Sequence, residues 1–382
     1  MAGIYIHVPF CLSKCIYCGF YSVASTRDKE FYVKTLLDEI RLRRDYLPQD
    51  SIQTLYFGGG TPSLLTADEL SQILQQVEKY YDASNLTEIT LEANPEQLTR
   101  DYCYALRELG INRLSIGVQS FQEHVLRFMG RRHTAQQALD AVDNARRAGF
   151  ENISTDLIYG VSERSDAEWA QELDTAFSLP IRHLSCYALT VEENSRLYKQ
   201  IQGGKHAPVD DEQAARQYDL LIEKITTSGT PARPRFEQYE ISNFCQPDFE
   251  SRHNSAYWNH TPYLGLGPAA HSFDGHSRQW NPANLKRHAE NIHCGRMCEE
   301  REELSPTDIY NETLLLSLRT RNGLDLNEIA LHYGEKRVHN IVRHFESNVP
   351  TIWYENAAGR LRLTAKGLWF ADGIAESLFI VD

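Results

Sequence analysis

A chain of 382 residues exceeds the roughly 250–300 at which single cores stop growing, so one large unit and a smaller one are expected. With 42% apolar and 24% charged residues it reads as an ordinary globular protein, and no run approaches the roughly eighteen apolar residues of a membrane span. A net charge of −13 argues against a general nucleic-acid binder, whose affinity rests on a basic face.

The N-terminal MAGIYIHVPFC has no basic stretch ahead of an apolar core and no small-residue cleavage site, so the cytoplasm is the expected compartment. Up to about residue 190, short β-rich runs alternate with amphipathic segments. Strands are predicted at Ile4–Val8, Ile52–Phe57, Glu88–Ala93, Arg113–Val118, Ile153–Ile158 and His183–Ala188. Helical spacing fills the gaps, as in Ala67–Tyr80, where Leu70, Ile73, Leu74 and Val77 share a face. Successive β–α units imply a parallel sheet, because parallel neighbours need crossovers; periodicity leaves an open sheet and an incomplete barrel as alternatives. Arg127, Arg131, Arg132 and His133 cluster in a helical region, and the simplest reading is a solvated face.

From about Val209 the rhythm changes. A long helix is predicted over Asp210–Ser228, then a stretch rich in Pro, Asn, Tyr, Trp and His from Thr230 to Asn281. Helices follow at Pro306–Leu318, Leu326–His332 and Lys336–Ser347. A hairpin is predicted in TIWYENAAGRLRL, turning at Asn356 and Gly359, and a last helix after Thr364. Helices followed by a β-ribbon resemble a small winged-helix unit, which the acidic balance makes a packing or partner-docking module. The expected divisions are 1–205, 206–304 and 305–382.

Three of the eight cysteines, Cys11, Cys15 and Cys18, fall directly after the first strand, at the edge where α/β folds place their chemistry. Reduced cytosolic cysteines so close together suggest a metal. Zinc would want a fourth ligand, but position 20 is Phe and His7 lies inside the strand. A [4Fe-4S] cluster on three thiolates leaves one iron open for a small molecule. Phe57-Gly58-Gly59-Gly60-Thr61-Pro62 then ends the second strand with room for close backbone approach, and Glu92, Gln119 and Asp156 tip later strands. Arg131 is placed to pair with an anionic group at that rim.

C-x3-C-x2-C with Tyr17 before the last cysteine resembles the radical S-adenosylmethionine (SAM) superfamily. The resemblance implies that the open iron chelates SAM. YIHVPFC, GGGTP, LEANPE, SIGVQSF and DLIYG are similar to the oxygen-independent coproporphyrinogen III dehydrogenases and to the HemW-type heme chaperones. The fold so implied is α/β, an incomplete (β/α)6 radical SAM barrel with a C-terminal α+β extension and a small winged-helix-like domain. The SAM contacts so implied are Tyr5, Tyr17, Gly59, Gly60, Thr61, Glu92, Gln119, Arg131, Asp156 and Ala188.

Three features favour the chaperone branch: the chain starts four residues before Tyr5 without the dehydrogenases' extra N-terminal segment, Phe20 replaces their further cysteine, and His253-Asn254-Ser255-Ala256-Tyr257-Trp258 resembles the HNxxYW heme motif. His253 is then the expected axial ligand, with Tyr257 and Trp258 against the porphyrin. The implied function is delivery of heme to an apo-hemoprotein such as a respiratory cytochrome; a membrane-bound recipient would bring the chain to the inner face of the membrane. The alternative is oxidative decarboxylation of coproporphyrinogen III to protoporphyrinogen IX. One departure stands out: Val161-Ser162-Glu163-Arg164 follows DLIYG where the family carries a Leu-Pro-Gly-Gln-like segment.

Overall fold

The computed structural model describes residues 2–47, 51–193, 195–227, 229 and 234–381. Ser228 and Thr230, expected to end the long helix and open the next stretch, lie outside the described residues. Six parallel strands form as the alternation predicts: β1 (Ala2–Val8), β2 (Ile52–Gly59), β3 (Glu88–Ala93), β4 (Arg113–Gln119), β5 (Asn152–Tyr159) and β6 (His183–Ala188), neighbours in chain order. Crossovers are made by α1 (Lys29–Leu42), α2 (Ala67–Tyr80), α3 (Arg100–Glu108), α4 (Glu123–Met129), α5 (Ala135–Arg147) and α6 (Asp166–Ser178). In α2 a Thr66–Glu69 capping box satisfies the first turn, and the predicted face of Leu70, Ile73, Leu74 and Val77 is buried.

One strand face, with Ile4, Ile6, Leu55, Phe57, Leu91, Leu114 and Ile153, packs into the main apolar core. The other face is polar and turned inward. There Arg113 on β4 feels the charges or dipoles of Glu88, Tyr56 and Asp156 on β3, β2 and β5, an arrangement that a partial barrel provides.

The stretch after residue 206, expected as an α+β extension, adds strands to this sheet at both edges. After α7 (Arg196–Gln202) and α8 (Asp211–Thr227) come β7 (Glu237–Gln238), β8 (Asn243–Cys245), α9 (Arg252–Trp258), β9 (Tyr263–Leu266), β10 (His271–Phe273), β11 (Ser277–Trp280), α10 (Leu285–His293) and β12 (Glu300–Glu303). β8 pairs antiparallel with β6 and carries β7, whereas β9 joins β1 in parallel and carries β10, β11 and β12. The result is a twelve-stranded open sheet, ending at one side on the fully charged, exposed Glu300–Glu303. Strands of two to four residues are too short for alternation to reveal.

The last segment has an apolar core of its own, including Tyr310, Leu314, Leu318, Ile341, Phe345 and Leu361. It comprises α11 (Pro306–Leu318), β13 (Leu324–Asp325), α12 (Leu326–Tyr333), α13 (Glu335–Asn348), β14 (Tyr354–Ala357), β15 (Arg360–Leu363), α14 (Ala365–Leu368) and α15 (Ala371–Glu376). Asn356 is not a turn residue but part of β14. Ala357 pairs with Arg360, so the turn is Ala358-Gly359, both at positive φ (53° and 75°), as a two-residue hairpin turn matching strand twist requires.

Candidate functional site

After β1 the chain folds back, with Cys11 N donating to Val23 O (3.0 Å) and Val23 N to Pro9 O (2.7 Å). The middle of the cysteine loop is held by Ile16, whose N donates to Met129 O (3.1 Å) and whose O accepts from Leu197 N (2.8 Å). Ile16 is buried in a satellite core with Val125, Met129 and Leu197. The loop is therefore fixed from α4 and α7, and its three thiols line a cavity of about 430 Å³ at the C-terminal ends of the strands.

Gly59, Gly60 and Thr61 line the same cavity. Gly60 is required for a different reason than ligand approach: a Cβ there would sit 2.6 Å from Phe10 O, so the residue lets the end of β2 pass the cysteine loop. Thr61 Oγ1 donates to Cys11 Sγ at 3.6 Å. Tyr17, Glu92, Gln119, Arg131, Asp156 and Ala188 complete the expected residues on the wall. Gln119 sits at φ 67°, a left-handed conformation uncommon for a non-glycine side chain.

Arg131 does not belong to a solvated face. It is turned inward, donating to Cys15 Sγ (3.5 Å), Asn94 Oδ1 (2.8 Å) and Gly117 O. His133 is likewise buried, bonded to Val118 O at 3.0 Å, and only Arg127 and Arg132 of that cluster are exposed.

Glu92 accepts from Tyr56 OH (2.8 Å) and Gly59 N (3.1 Å). Burial pushes its carboxyl up to about 7, against the opposing pull of the Tyr56 bond, and the nearby Asp156 adds to the rise. Asp156 is raised for the same first reason, although Ser185 and Ser115 donate to it. Two carboxylates held together in a low-dielectric cavity favour a cationic ligand, which would restore both to their charged forms.

Tyr5 does not reach the cavity wall. It lies one layer below, its OH 3.2 Å from His7 Nδ1 and its ring stacked on Tyr56 at 6.0 Å. Wall residues that motif reasoning missed include Asn94, Ser115, Ile158, Tyr187 and Glu192. Strand alternation held the signal for two of them: Ser115 is four residues before Gln119, and Ile158 two after Asp156.

The expected heme ligand is not on a surface. α9 closes the opposite, N-terminal end of the barrel, held by Glu88, which accepts from Arg252 N (2.9 Å) and His253 N (3.0 Å). His253 is 1% exposed, and both ring nitrogens are engaged: Nδ1 with Thr54 Oγ1 (2.8 Å) and Nε2 with Tyr257 OH (2.9 Å). Burial, then Arg113, pushes the imidazole down to about 3, so it is neutral. Tyr257 packs edge-on against His253 and Tyr263 rather than facing solvent.

The divergent loop after β5 has its own anchor. Arg164 is buried, with Nη1 donating to Glu172 Oε2 at 2.5 Å and Nη2 to Ile158 O at 2.8 Å, and its guanidinium lies over Trp169. Glu172 also accepts from Ser120 Oγ and Phe121 N, just beyond Gln119.

Three thiols on one cavity wall are the kind of donor set a [4Fe-4S] cluster takes. Among the described residues no three His, Cys, Asp or Glu side chains converge as ligands of one metal ion. A [4Fe-4S] cluster takes each thiolate on a different iron and needs no such convergence. No described helix is long and apolar enough to cross a membrane.

The family model of the radical SAM superfamily matches residues 5–176. The chain is similar to the heme chaperone HemW of Mycobacterium tuberculosis, 32% identical over 98% of this chain and 94% of that one. It is similar to HemW of Bacillus subtilis (34% identical, 87% of each) and of Escherichia coli (33%, covering 100% of this chain and 98% of that one). Among solved structures, the coproporphyrinogen III oxidase HemN of E. coli, described as a radical SAM enzyme, superposes with a TM-score of 0.82 over 99% of this chain and 90% of that chain. At 22% identity it shares the fold.

Proposed function

The chain belongs to the HemW family of the radical SAM superfamily, and on that premise we propose that it is a heme chaperone, binding heme and passing it to an apo-hemoprotein in the cytoplasm. The observation that carries the reading is full-length likeness to proteins named for that role, spanning both the cysteine loop and the HNxxYW helix. Membership implies SAM and a [4Fe-4S] cluster, which when bound supply one-electron cleavage of the SAM sulfonium. Cys11, Cys15 and Cys18 would hold the cluster. Tyr17, Gly59, Gly60, Thr61, Glu92, Gln119, Arg131, Asp156 and Ala188 would contact SAM, with Tyr5 supporting from below.

SAM brings an ammonium and a sulfonium, and Glu92 is its natural counter-charge. A carboxyl at about 7 is mostly neutral at pH 6 and mostly charged at pH 8. SAM affinity should therefore rise with pH across that window. Glu92→Gln should flatten the profile and weaken binding at pH 8 by roughly ten- to a hundredfold, the about 1.5–3 kcal/mol of a hydrogen bond to a charged group. Equilibrium dialysis of SAM with reconstituted protein at pH 6, 7 and 8 checks this; a parallel profile in the variant removes Glu92 from the site.

Heme ligation by His253 demands that α9 leave the barrel end. Ser255 Oγ and Trp258 Nε1 on α9, and Nε and Nη1 of Arg113 inside the barrel, are buried without hydrogen-bond partners among the described residues. His253→Ala should remove the ligand and shift the heme absorption spectrum. Thr54→Val should do the opposite, loosening the closed state by about 1 kcal/mol and raising heme affinity severalfold. If His253 serves packing alone, both variants lose stability and neither changes the heme spectrum. Multiple-turnover formation of protoporphyrinogen on the same reconstituted sample would replace the chaperone reading with the dehydrogenase.

A further inference from the structure

We propose that Asn94 is a positioning residue for the cluster site: it directs Thr61 and Arg131 as hydrogen-bond donors to the sulfurs of Cys11 and Cys15, and through them sets the reduction potential. This rests on the cluster reading above. Asn94 follows β3 directly and is fixed by its own backbone, its N donating to Ser63 Oγ (3.2 Å) and its O accepting from Gln97 N (3.1 Å). From that point its amide joins two side chains from separate segments. Oδ1 accepts from Arg131 Nη2 (2.8 Å), and Nδ2 donates to Thr61 Oγ1 (3.3 Å). Each partner continues to a thiol, Arg131 Nη1 to Cys15 Sγ (3.5 Å) and Thr61 Oγ1 to Cys11 Sγ (3.6 Å). The third sulfur is served differently, since Cys18 accepts from the backbone of Phe20 within the loop itself.

The direction of these bonds follows from the groups themselves. A guanidinium has donors only, so the amide turns its oxygen to Arg131 and its nitrogen to Thr61. A hydroxyl has one proton, and because Thr61 accepts from Asn94 that proton is left for Cys11. An aspartate at position 94 would still accept from Arg131 but would draw the Thr61 proton to itself, away from the sulfur. One side-chain amide therefore decides where both donors point. Hydrogen bonds to cluster sulfurs stabilise the added negative charge of the reduced form and raise its potential. The couple is 2+ to 1+, one electron gained with no atom or proton exchanged. Tyr17 also bonds to Cys15, so the Thr61 branch is the cleaner one to test.

The test is an electrochemical titration of reconstituted chain, read by electron paramagnetic resonance of the reduced cluster. Asn94→Ala and Asn94→Asp should each lower the reduced-to-oxidised ratio at a fixed potential about tenfold, a midpoint fall of about 59 mV for one electron. Iron and sulfide content should stay unchanged. Thr61→Val should lower the midpoint on its own, yet add nothing in the Asn94→Asp background, where the Thr61 proton has already left the sulfur. An unchanged midpoint in both Asn94 variants overturns the proposal. So do additive shifts from Asn94→Asp and Thr61→Val, which would mean that the new charge acts through space alone. If Asn94→Ala takes up no iron, Asn94→Asp, which matches asparagine in size, decides. Wild-type chain that takes up no iron sinks the cluster reading instead, and the positioning role is then read on cluster-free chain carrying isotope-labelled asparagine. The Asn94 side-chain amide resonance, assigned by its loss in Asn94→Asp, should move in Thr61→Val; a resonance that stays in place overturns the proposal.

Discussion

Serine at position 11, 15 or 18 is expected to reduce the iron of anaerobically reconstituted protein from about four per chain to near none, because each thiolate anchors its own iron and a hydroxyl does not ionise to replace it. Cys294→Ser and Cys298→Ser should leave the content unchanged. The contrast follows from placement. Cys11, Cys15 and Cys18 line the cavity, whereas Cys294 and Cys298 do not; Cys103, Cys186 and Cys245 are fully buried, and burial pushes the thiols of Cys103 and Cys245 up to about 12, with Glu250 adding to the rise at Cys245. Burial also raises Cys18, so loading should release protons and proceed faster at higher pH. The loop is held through backbone atoms of Ile16 and Val23, so the serine variants should keep the fold and its far-ultraviolet dichroism. Iron and sulfide analysis with the visible spectrum decides; full iron in any one of the three variants would remove that cysteine from the ligand set.

Arg164→Met is expected to cost about 3–5 kcal/mol, the loss when one partner of a buried ion pair is removed and the other stays. Both side chains are wholly buried, and Glu172 would be left with only Ser120 Oγ and Phe121 N as donors. Thermal unfolding should fall by several degrees, and Arg164→Met/Glu172→Gln should recover part of the loss by removing the stranded charge. Because Ser120 follows the left-handed Gln119, slackening there should also weaken SAM binding, although Arg164 is absent from the cavity wall. A shift in unfolding temperature within error would show that the pair is replaceable by water.

By itself the sequence determined the six parallel strands, most helices and the donors of the cavity. Those elements are long, and their signals are local: β-rich runs in β1 to β6, a 3.6-residue face in α2, and three cysteines in eight residues. Residues at strand ends share one rim whether the sheet is open or curled, so Glu92, Gln119 and Asp156 were legible without knowing the curvature. Only tertiary structure decided the rest. The edge strands β7 to β12 are too short to carry a period, and their pairing depends on chain brought from far away. Arg131 read both as part of a solvated cluster and as a rim residue, and Arg164 only as part of a divergent loop, until Cys15 and Glu172 are assembled around them. His253 offered the plainest contrast: its motif pointed to an open ligand, but besides Tyr257, one turn along the same helix, its partners Thr54 and Glu88 come from two distant strands. Long-range hydrogen bonding of that kind, which no spacing encodes, seals it inside the barrel.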